Sequence, residues 1–139
     1  MTEVDEIIGF EEPGDDLDRL DYATIGAALA VHSELGPGHP ESAYEEALAF
    51  ELELRGLPFS RQEPYNIVYK GRHVGRGRLD IVVGGVLIVE IKAVESLASV
   101  HAAQVVSYLK ATHRRLGILL NFNVKQLKAG GVKRIANTR

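Results

Sequence analysis

Three charged residues interrupt the most apolar part of this 139-residue chain. The stretch from Gly77 to Val94 reads GRLDIVVGGVLIVEIKAV, in which Gly84-Gly85 joins two runs rich in β-forming residues. Charged side chains are rarely left in buried strands without a partner or a task. Here Asp80, Glu90 and Lys92 lie within these runs. The pattern therefore predicts a β-hairpin that carries a polar site.

The three charges fit two kinds of chemistry. Glu90 and Lys92 are two residues apart, so on a strand they point to the same face. Converging carboxylates from Asp80 and Glu90 could hold a hard cation such as Mg2+, and a lysine beside it could orient a water or stabilise charge on a phosphate. The alternative is structural, with a buried carboxylate paired to Lys92 or to an arginine. Both interpretations can hold in a metal-free form.

The length of the connection between the two strands decides whether a shared site can form. A two-residue Gly84-Gly85 turn would pair Asp80 with Val89 and place Asp80 and Glu90 on opposite faces of the sheet. A three-residue connection, residues 84–86, would pair Asp80 with Glu90, and glycine permits the left-handed conformation that such a loop uses. We therefore predict a three-residue connection or a bulge at this point.

Hydrophobic periodicity and turn residues predict seven elements in the order α-α-β-β-β-α-β. A helix between the last two strands favours a parallel return, which gives a mixed sheet with helices on its faces. The basic tail, residues 123–139, is compatible with a strand, a loop or a frayed end. The predicted helices are 21–35, 40–55 and 99–112, and the predicted strands are 59–69, 74–83, 86–93 and 116–121.

Length and composition limit the organisation of the chain and its compartment. We predict a flexible acidic arm over residues 1–18 and a single domain over residues 19–139. The chain has no cysteine, which excludes disulfides, thiolate zinc sites and cysteine nucleophiles. It begins without a signal-peptide pattern and has no apolar run near the ~20 residues that span a bilayer, so we expect a cytoplasmic protein without membrane contact.

Charge is distributed unevenly along the sequence. Residues 1–60 carry a net charge of -13 and residues 61–139 carry +10. The basic half is compatible with a polyanionic partner such as nucleic acid, or with simple neutralisation of the acidic half in the fold. The absence of tryptophan and the few other aromatic residues favour contacts with phosphates over base stacking. The candidate nucleic-acid-binding residues are Arg76, Arg78, Lys110, Arg114 and Arg115.

Taken together, these residues resemble a known group of proteins. Asp80 followed by Glu90-x-Lys92, on the second and third strands after a helix, resembles the PD-(D/E)XK nuclease superfamily. The segment from Gly38 to Tyr44, GHPESAY, fits the GxxExxY signature of one bacterial family in it, and Gln104 to Tyr108, QVVSY, fits the QxxxY motif of its RecB-like branch. The resemblance covers residues 21–125. It implies a restriction-endonuclease-like α/β fold, an αβββαβ core with a mixed central sheet flanked by helices.

The resemblance also implies roles for further residues. Glu41 would reach toward the metal, directly or through water; its alternative role is that of a favourable acid in the first turn of a helix. Gln104 and Tyr108, one helical turn apart, would hold a phosphate near the metal; the alternative is a polar stripe at the sheet edge. The implied metal ligands are Glu41, Asp80 and Glu90, the implied cofactor is Mg2+ or Mn2+, and the implied catalytic residues are Asp80, Glu90, Lys92, Gln104 and Tyr108.

The predicted function is that of a metal-dependent nuclease hydrolysing phosphodiester bonds of nucleic acid, and of DNA and RNA we favour DNA as the predicted substrate. The alternative is a non-catalytic module that keeps the nuclease fold and binds nucleic acid or protein. The chain is barely larger than the core fold, so substrate specificity is expected to come from its arm, its tail, a second protomer of a homodimer or a partner protein.

Overall fold

The computed structural model of the chain describes residues 15–137, which form three helices and five strands. Most of the predicted arm, residues 1–14, lies outside the described residues. The first helix includes residues 15–18, which the sequence pattern assigned to that arm, so the helix begins earlier than predicted. The elements are α1 (Asp15–Leu35), α2 (Glu41–Leu54), β1 (Phe59–Tyr69), β2 (Arg72–Val83), β3 (Leu87–Lys92), α3 (Ser99–Thr112), β4 (Leu116–Asn121) and β5 (Val132–Ala136).

The five strands form one mixed sheet in the order β1-β2-β3-β4-β5. The β3–β4 pair is parallel and the other three pairs are antiparallel. The parallel return of β4 after the crossover helix α3 was predicted and is confirmed. The basic tail contributes β5, which pairs with β4 and completes that side of the sheet.

Helices cover both faces of the sheet, because consecutive apolar residues of β3 point to opposite faces and each face must be covered. Leu87, Val89 and Ile91 pack in a core cluster that includes residues of α1 and α2. Ile88 packs in a second cluster with residues of α3. The α/β architecture with a mixed sheet between helices agrees with the predicted fold class. None of the helices within residues 15–137 has the length and apolar character needed to cross a membrane.

The β2–β3 hairpin has the register that a shared site needs. Val83 pairs with Leu87, so the connection is the three-residue segment Gly84–Val86. Gly84 and Gly85 have φ of 62° and 75°, in the left-handed region that glycine adopts without a steric penalty. Because Ile81 pairs with Val89, the next position along the register sets Asp80 opposite Glu90. The prediction of a three-residue connection is confirmed.

The sheet is irregular at Asp80. Arg61 pairs with Ile81 and Glu63 pairs with Leu79, so the β1 residue opposite Asp80 is Gln62, whose φ of 52° is unusual for a strand residue. Simple alternation would place Leu79 and Ile81 on one face, yet Ile81 packs with the α1 and α2 cluster and Leu79 packs with the α3 cluster. Both strands therefore change the direction of their side chains at this point, where β2 begins to separate from β3.

Candidate active site

The Asp80 side chain replaces a backbone hydrogen bond between β2 and β3. The ladder of paired residues ends at Ile81 and Val89, and two residues beyond Val89 the N–H of Ile91 donates to Oδ2 of Asp80 at 2.8 Å. Burial raises the pKa of Asp80, and the hydrogen bond from Ile91 opposes that shift. A carboxylate is thus fixed between the two strands where they separate.

Glu90 and Lys92 form a nearly buried pair beside it. Lys92 Nζ lies 3.6 Å from Glu90 Oε2, and the two side chains are 15% and 7% exposed. Burial and the charge of Asp80 raise the pKa of Glu90, and Lys92 opposes this shift only in part, so the pKa remains raised to about 8. Glu90 Oε1 is buried and has no hydrogen-bond partner among the described residues. The ion pair with Lys92 therefore satisfies only one of the two carboxylate oxygens of Glu90.

Helix α2 brings two more acids toward Asp80. Glu41 Oε2 accepts a hydrogen bond from Ala93 N–H at 3.4 Å, and its charge contributes to the raised pKa values of both Asp80 and Glu90. Glu45, one turn further, contributes more than Glu41 to the raised pKa of Asp80. Glu45 was not among the candidate site residues, and its side chain is only 13% exposed. The signal for Glu45 was its spacing of four residues from Glu41.

Two residues of β1 hold the Glu45 carboxylate in place. Gln62 Nε2 lies 3.1 and 3.2 Å from its two oxygens, and Arg61 Nε donates at 3.2 Å. Gln62 is also the register partner of Asp80, so the irregular point of β1 connects α2 to the site.

The tyrosine of the GxxExxY segment has a structural role. The Tyr44 hydroxyl donates to the Gly36 carbonyl at 2.6 Å and accepts from the His39 N–H at 3.1 Å, and its ring stacks on Phe122 with centroids 4.6 Å apart. These contacts fix the loop between α1 and α2. They set the start of α2 and, with it, the location of Glu41.

Helix α3 carries Gln104 and Tyr108 on the face of the sheet opposite the one that α2 covers. Burial and the charge of Glu90 raise the pKa of Tyr108, so the hydroxyl keeps its proton throughout the ordinary pH range. Gln104 Oε1 is buried and lacks a hydrogen-bond partner within residues 15–137. Both residues line a groove of about 720 Å³ between α3 and β1. Gln104 and Tyr108 therefore lie along one open groove, and Tyr108 is near enough to Glu90 to feel its charge.

Tyr65 on β1 completes this side of the site and was not selected from the sequence. Its ring meets Tyr108 edge-on with centroids 5.3 Å apart, and the charge of Glu90 contributes to its raised pKa after burial. The ring lies over Gly77, its register partner on β2, where an added Cβ would be 2.4 Å from the ring. Gly77 thus makes room for Tyr65.

Asn121 fixes the chain where it leaves the site. It is 1% exposed and pairs in register with Lys92. Its Oδ1 accepts from Val94 N–H and its Nδ2 donates to the Val94 carbonyl, both at 3.0 Å. The sequence pattern did not identify Asn121, because its partner is distant in the chain.

The candidate nucleic-acid-binding residues fall into two groups. Arg76 and Arg78 are exposed on the part of β2 that leads to Asp80, and Lys110 is exposed along the groove beside Tyr108. Arg114 is ion-paired with Glu63 at 2.9 Å and donates to the Gly85 carbonyl at 3.0 Å. Arg114 and Arg115 precede β4 and so lie at the end of β3 opposite Lys92. The structure does not bring this last pair to the site.

The donor set fits a divalent cation but is not assembled around one. Within the described residues no three or more Asp, Glu or His side chains already form a cluster that could hold a metal. The predicted ligands Asp80 and Glu90 are nonetheless near enough for the charge of Asp80 to raise the pKa of Glu90, and Glu90 Oε1 is a buried oxygen without a hydrogen-bond partner among the described residues. Mg2+ or Mn2+ bound between these oxygen donors would relieve the repulsion between the two carboxylates. Glu41 would need to leave Ala93 to join them.

Comparison with known proteins identifies the family. A family model described as the PD-(D/E)XK nuclease superfamily matches residues 18–135, almost the whole chain. No curated protein and no solved structure is significantly similar to it.

Proposed function

The chain belongs to the PD-(D/E)XK nuclease superfamily, and we propose that it is a metal-dependent nuclease that hydrolyses phosphodiester bonds of DNA. We also propose that it belongs with the GxxExxY group of that superfamily, on the segment from Gly38 to Tyr44. The observation that supports the activity is the convergence of Asp80, Glu90 and Lys92 where β2 and β3 separate. The register places the two carboxylates opposite each other, and Lys92 Nζ stands 3.6 Å from Glu90.

Asp80 and Glu90 would hold a Mg2+ or Mn2+ ion, with Glu41 as a further candidate ligand. The bound ion would polarise the phosphate and favour ionisation of the attacking water. Asp80 is held for this role by Ile91 N–H, whereas Glu90 must lose the proton that its raised pKa retains near neutral pH. Lys92 then stabilises the ionised Glu90 and orients the water.

Gln104 and Tyr108 would orient the substrate phosphate. Because the pKa of Tyr108 is raised, its hydroxyl remains a hydrogen-bond donor, which suits an anionic phosphate oxygen. Gln104 offers an amide N–H2 from the same helix face, one turn away. The groove between α3 and β1 gives a nucleotide access to both side chains.

A cleavage screen tests the proposal. Single-stranded, duplex and branched DNA and RNA would be incubated with the protein in Mg2+, in Mn2+ and in EDTA. We expect metal-dependent cleavage of DNA by the wild type and none by Lys92→Ala, Asp80→Asn or Glu90→Gln. The matched control is Glu53→Gln, which removes an exposed carboxylate of α2 outside the site and should cleave like the wild type.

Two outcomes would overturn the assignment. Cleavage by purified Lys92→Ala at the wild-type rate would remove Lys92 from the mechanism. Binding of nucleic acid without any cleavage or metal binding would favour the non-catalytic module. Circular dichroism of each variant separates loss of activity from loss of the fold.

A further inference from the structure

A two-stranded segment extends from the sheet beside the site. β1 and β2 are about twice as long as β3, which pairs with β2 only from Ile81 to Val83. We call residues 64–79 the ribbon. Large apolar side chains on its outer part are exposed by 42% to 62%: Ile67, Val68, Tyr69 and Val74. A group of exposed apolar side chains on a projecting hairpin marks an interaction surface.

The ribbon is also uniformly basic. Residues 64–79 contain four lysines and arginines and no aspartate or glutamate. Arg78 donates to the Gln62 carbonyl at 3.1 Å. In the part of the chain that the structure describes, no acidic side chain forms an ion pair with Lys70, Arg72 or Arg76. Their charges are available to a polyanion, and like charge opposes pairing with the ribbon of a second copy.

The turn at the end of the ribbon carries a strained lysine. Lys70 and Gly71 connect the strands in a two-residue turn with φ of 49° and 79°. This turn favours asparagine or glycine at its first position, because other side chains are strained at positive φ. Lys70 therefore places a charge at the outermost point of the ribbon, against local conformational preference.

From this exposure, charge and turn geometry, we propose that the ribbon enters the major groove of duplex DNA and contacts its phosphates. The major groove of B-form DNA is about 12 Å wide and admits a two-stranded ribbon, whereas that of A-form RNA is too deep and narrow. Arg72 lies eight residues from Asp80, at most about 26 Å along the strand, or about eight base pairs. The distance of about eight base pairs rests on the proposed function, because it is counted from Asp80, where the bond would be cleaved.

Fluorescence anisotropy in EDTA tests the ribbon separately from cleavage. The probe is a labelled 24-base-pair DNA duplex at 0.1 M salt. Removal of one phosphate contact should weaken binding roughly eightfold at this salt concentration, and we expect this for Lys70→Asn, Arg72→Gln and Arg76→Gln. Lys70→Asn suits the turn and should not lower the melting temperature. Arg19→Gln, an exposed cation on α1, is the matched control.

The outcomes separate this inference from the proposed function. Weaker duplex binding by the ribbon variants, with wild-type cleavage of single strands by Lys70→Asn and Arg72→Gln in Mn2+, supports the ribbon. Unchanged duplex binding by all three variants overturns it and leaves the nuclease intact. Ribbon variants that bind duplex RNA more weakly by the same factor as duplex DNA also overturn it. So do ribbon variants that change their oligomeric state while their affinity for DNA stays unchanged. Ribbon-dependent binding by a protein that cleaves nothing would overturn only the proposed function.

Discussion

Glu90 has the strongest conflict between burial and charge in the site. Its side chain is 7% exposed, Asp80 is opposite it, and its pKa is raised to about 8. Lys92, its nearest cation at 3.6 Å, compensates only in part. A carboxylate in this situation makes the metal-free fold less stable when it ionises, and a bound cation would remove that cost.

The stability of the metal-free protein should therefore depend on pH through Glu90. The unfolded chain loses this proton near pH 4.5 and the folded chain near pH 8, so the folded state binds more protons between these values. The contribution of Glu90 to stability should be intact below pH 4.5 and lost as the pH rises to 8. Urea unfolding in EDTA at pH 5, 6.5 and 8 measures it. The difference in unfolding free energy between the wild type and Glu90→Gln should change across this range; a constant difference would contradict the shift.

The affinity for metal should rise with pH, whereas the contribution of Glu90 to the stability of the metal-free protein falls. Binding of Mn2+ to Asp80 and Glu90 requires an ionised Glu90, so the apparent affinity should rise up to about tenfold per pH unit below pH 8. Isothermal titration calorimetry at pH 6, 7 and 8 measures the rise. The Glu90→Gln variant should lose this rise of Mn2+ affinity with pH, and the Glu53→Gln variant should keep it. Affinity independent of pH would exclude Glu90 as a ligand.

At this scale the sequence predicted the residues that lie on one local pattern. Asp80, Glu90 and Lys92 sit on adjacent strands joined by a short turn, so residue spacing alone predicted their convergence. Tyr65 and Asn121 approach the site through packing between distant elements, which spacing does not encode, whereas Glu45 lies one helical turn from Glu41 and could have been found from that spacing. The family resemblance added Gln104 and Tyr108, whose polar groups alone were also compatible with a surface stripe.

At the scale of elements, boundaries were predicted where strong local signals exist. The predicted bounds of α3 and β4 agree with the structure, because polar residues such as His113-Arg114-Arg115 flank their apolar runs. The change of side-chain direction at Gln62 and Asp80 had no such signal. It arises from the contacts of Gln62 with α2 and of Asp80 with β3, which depend on the assembled fold.

The Tyr65–Gly77 contact gives a test of how β1 supports the site. Gly77→Ala would place a Cβ 2.4 Å from the Tyr65 ring and should destabilise the protein by about 1–3 kcal/mol. Gly75→Ala is the matched control, since its Cβ would lie at an ordinary 3.6 Å from Ile67. Chemical denaturation of both variants measures the effect. Adding Tyr65→Ala to Gly77→Ala should remove most of the extra cost; additive losses would mean that the two residues do not interact.

The loop between α1 and α2 gives a second test. Tyr44→Phe removes the hydroxyl that accepts from His39 N–H and donates to the Gly36 carbonyl, and should lower stability by about 1–2 kcal/mol. Tyr22→Phe, at an 82% exposed position on α1, should have no effect. Equal unfolding midpoints in urea for the two variants would show that the tyrosine of the GxxExxY segment does not hold this loop.

At the scale of the whole molecule, the fold neutralises part of the charge asymmetry and leaves part of it exposed. Arg61 pairs with Glu45 and Glu46, and Arg134 pairs with Asp21, so residues of the basic and acidic halves neutralise each other within the domain. The ribbon is different, because it carries cations without acids. Neutralisation in the fold therefore accounts for one part of the sequence asymmetry, and the ribbon is the part that our proposal assigns to a polyanionic partner.

The exposed cations predict how nucleic-acid binding responds to salt. Each phosphate contact contributes a slope of about -0.9 to a plot of log affinity against log salt, so four contacts would weaken duplex binding roughly 150-fold between 50 and 200 mM. Anisotropy titrations in EDTA over this range measure the slope. Arg72→Gln should make it shallower by about one contact, and Arg19→Gln should leave it unchanged. Tight binding with a flat salt response would mean that apolar or base contacts dominate, and the exposed Tyr69 and Val74 would then be the side chains to replace.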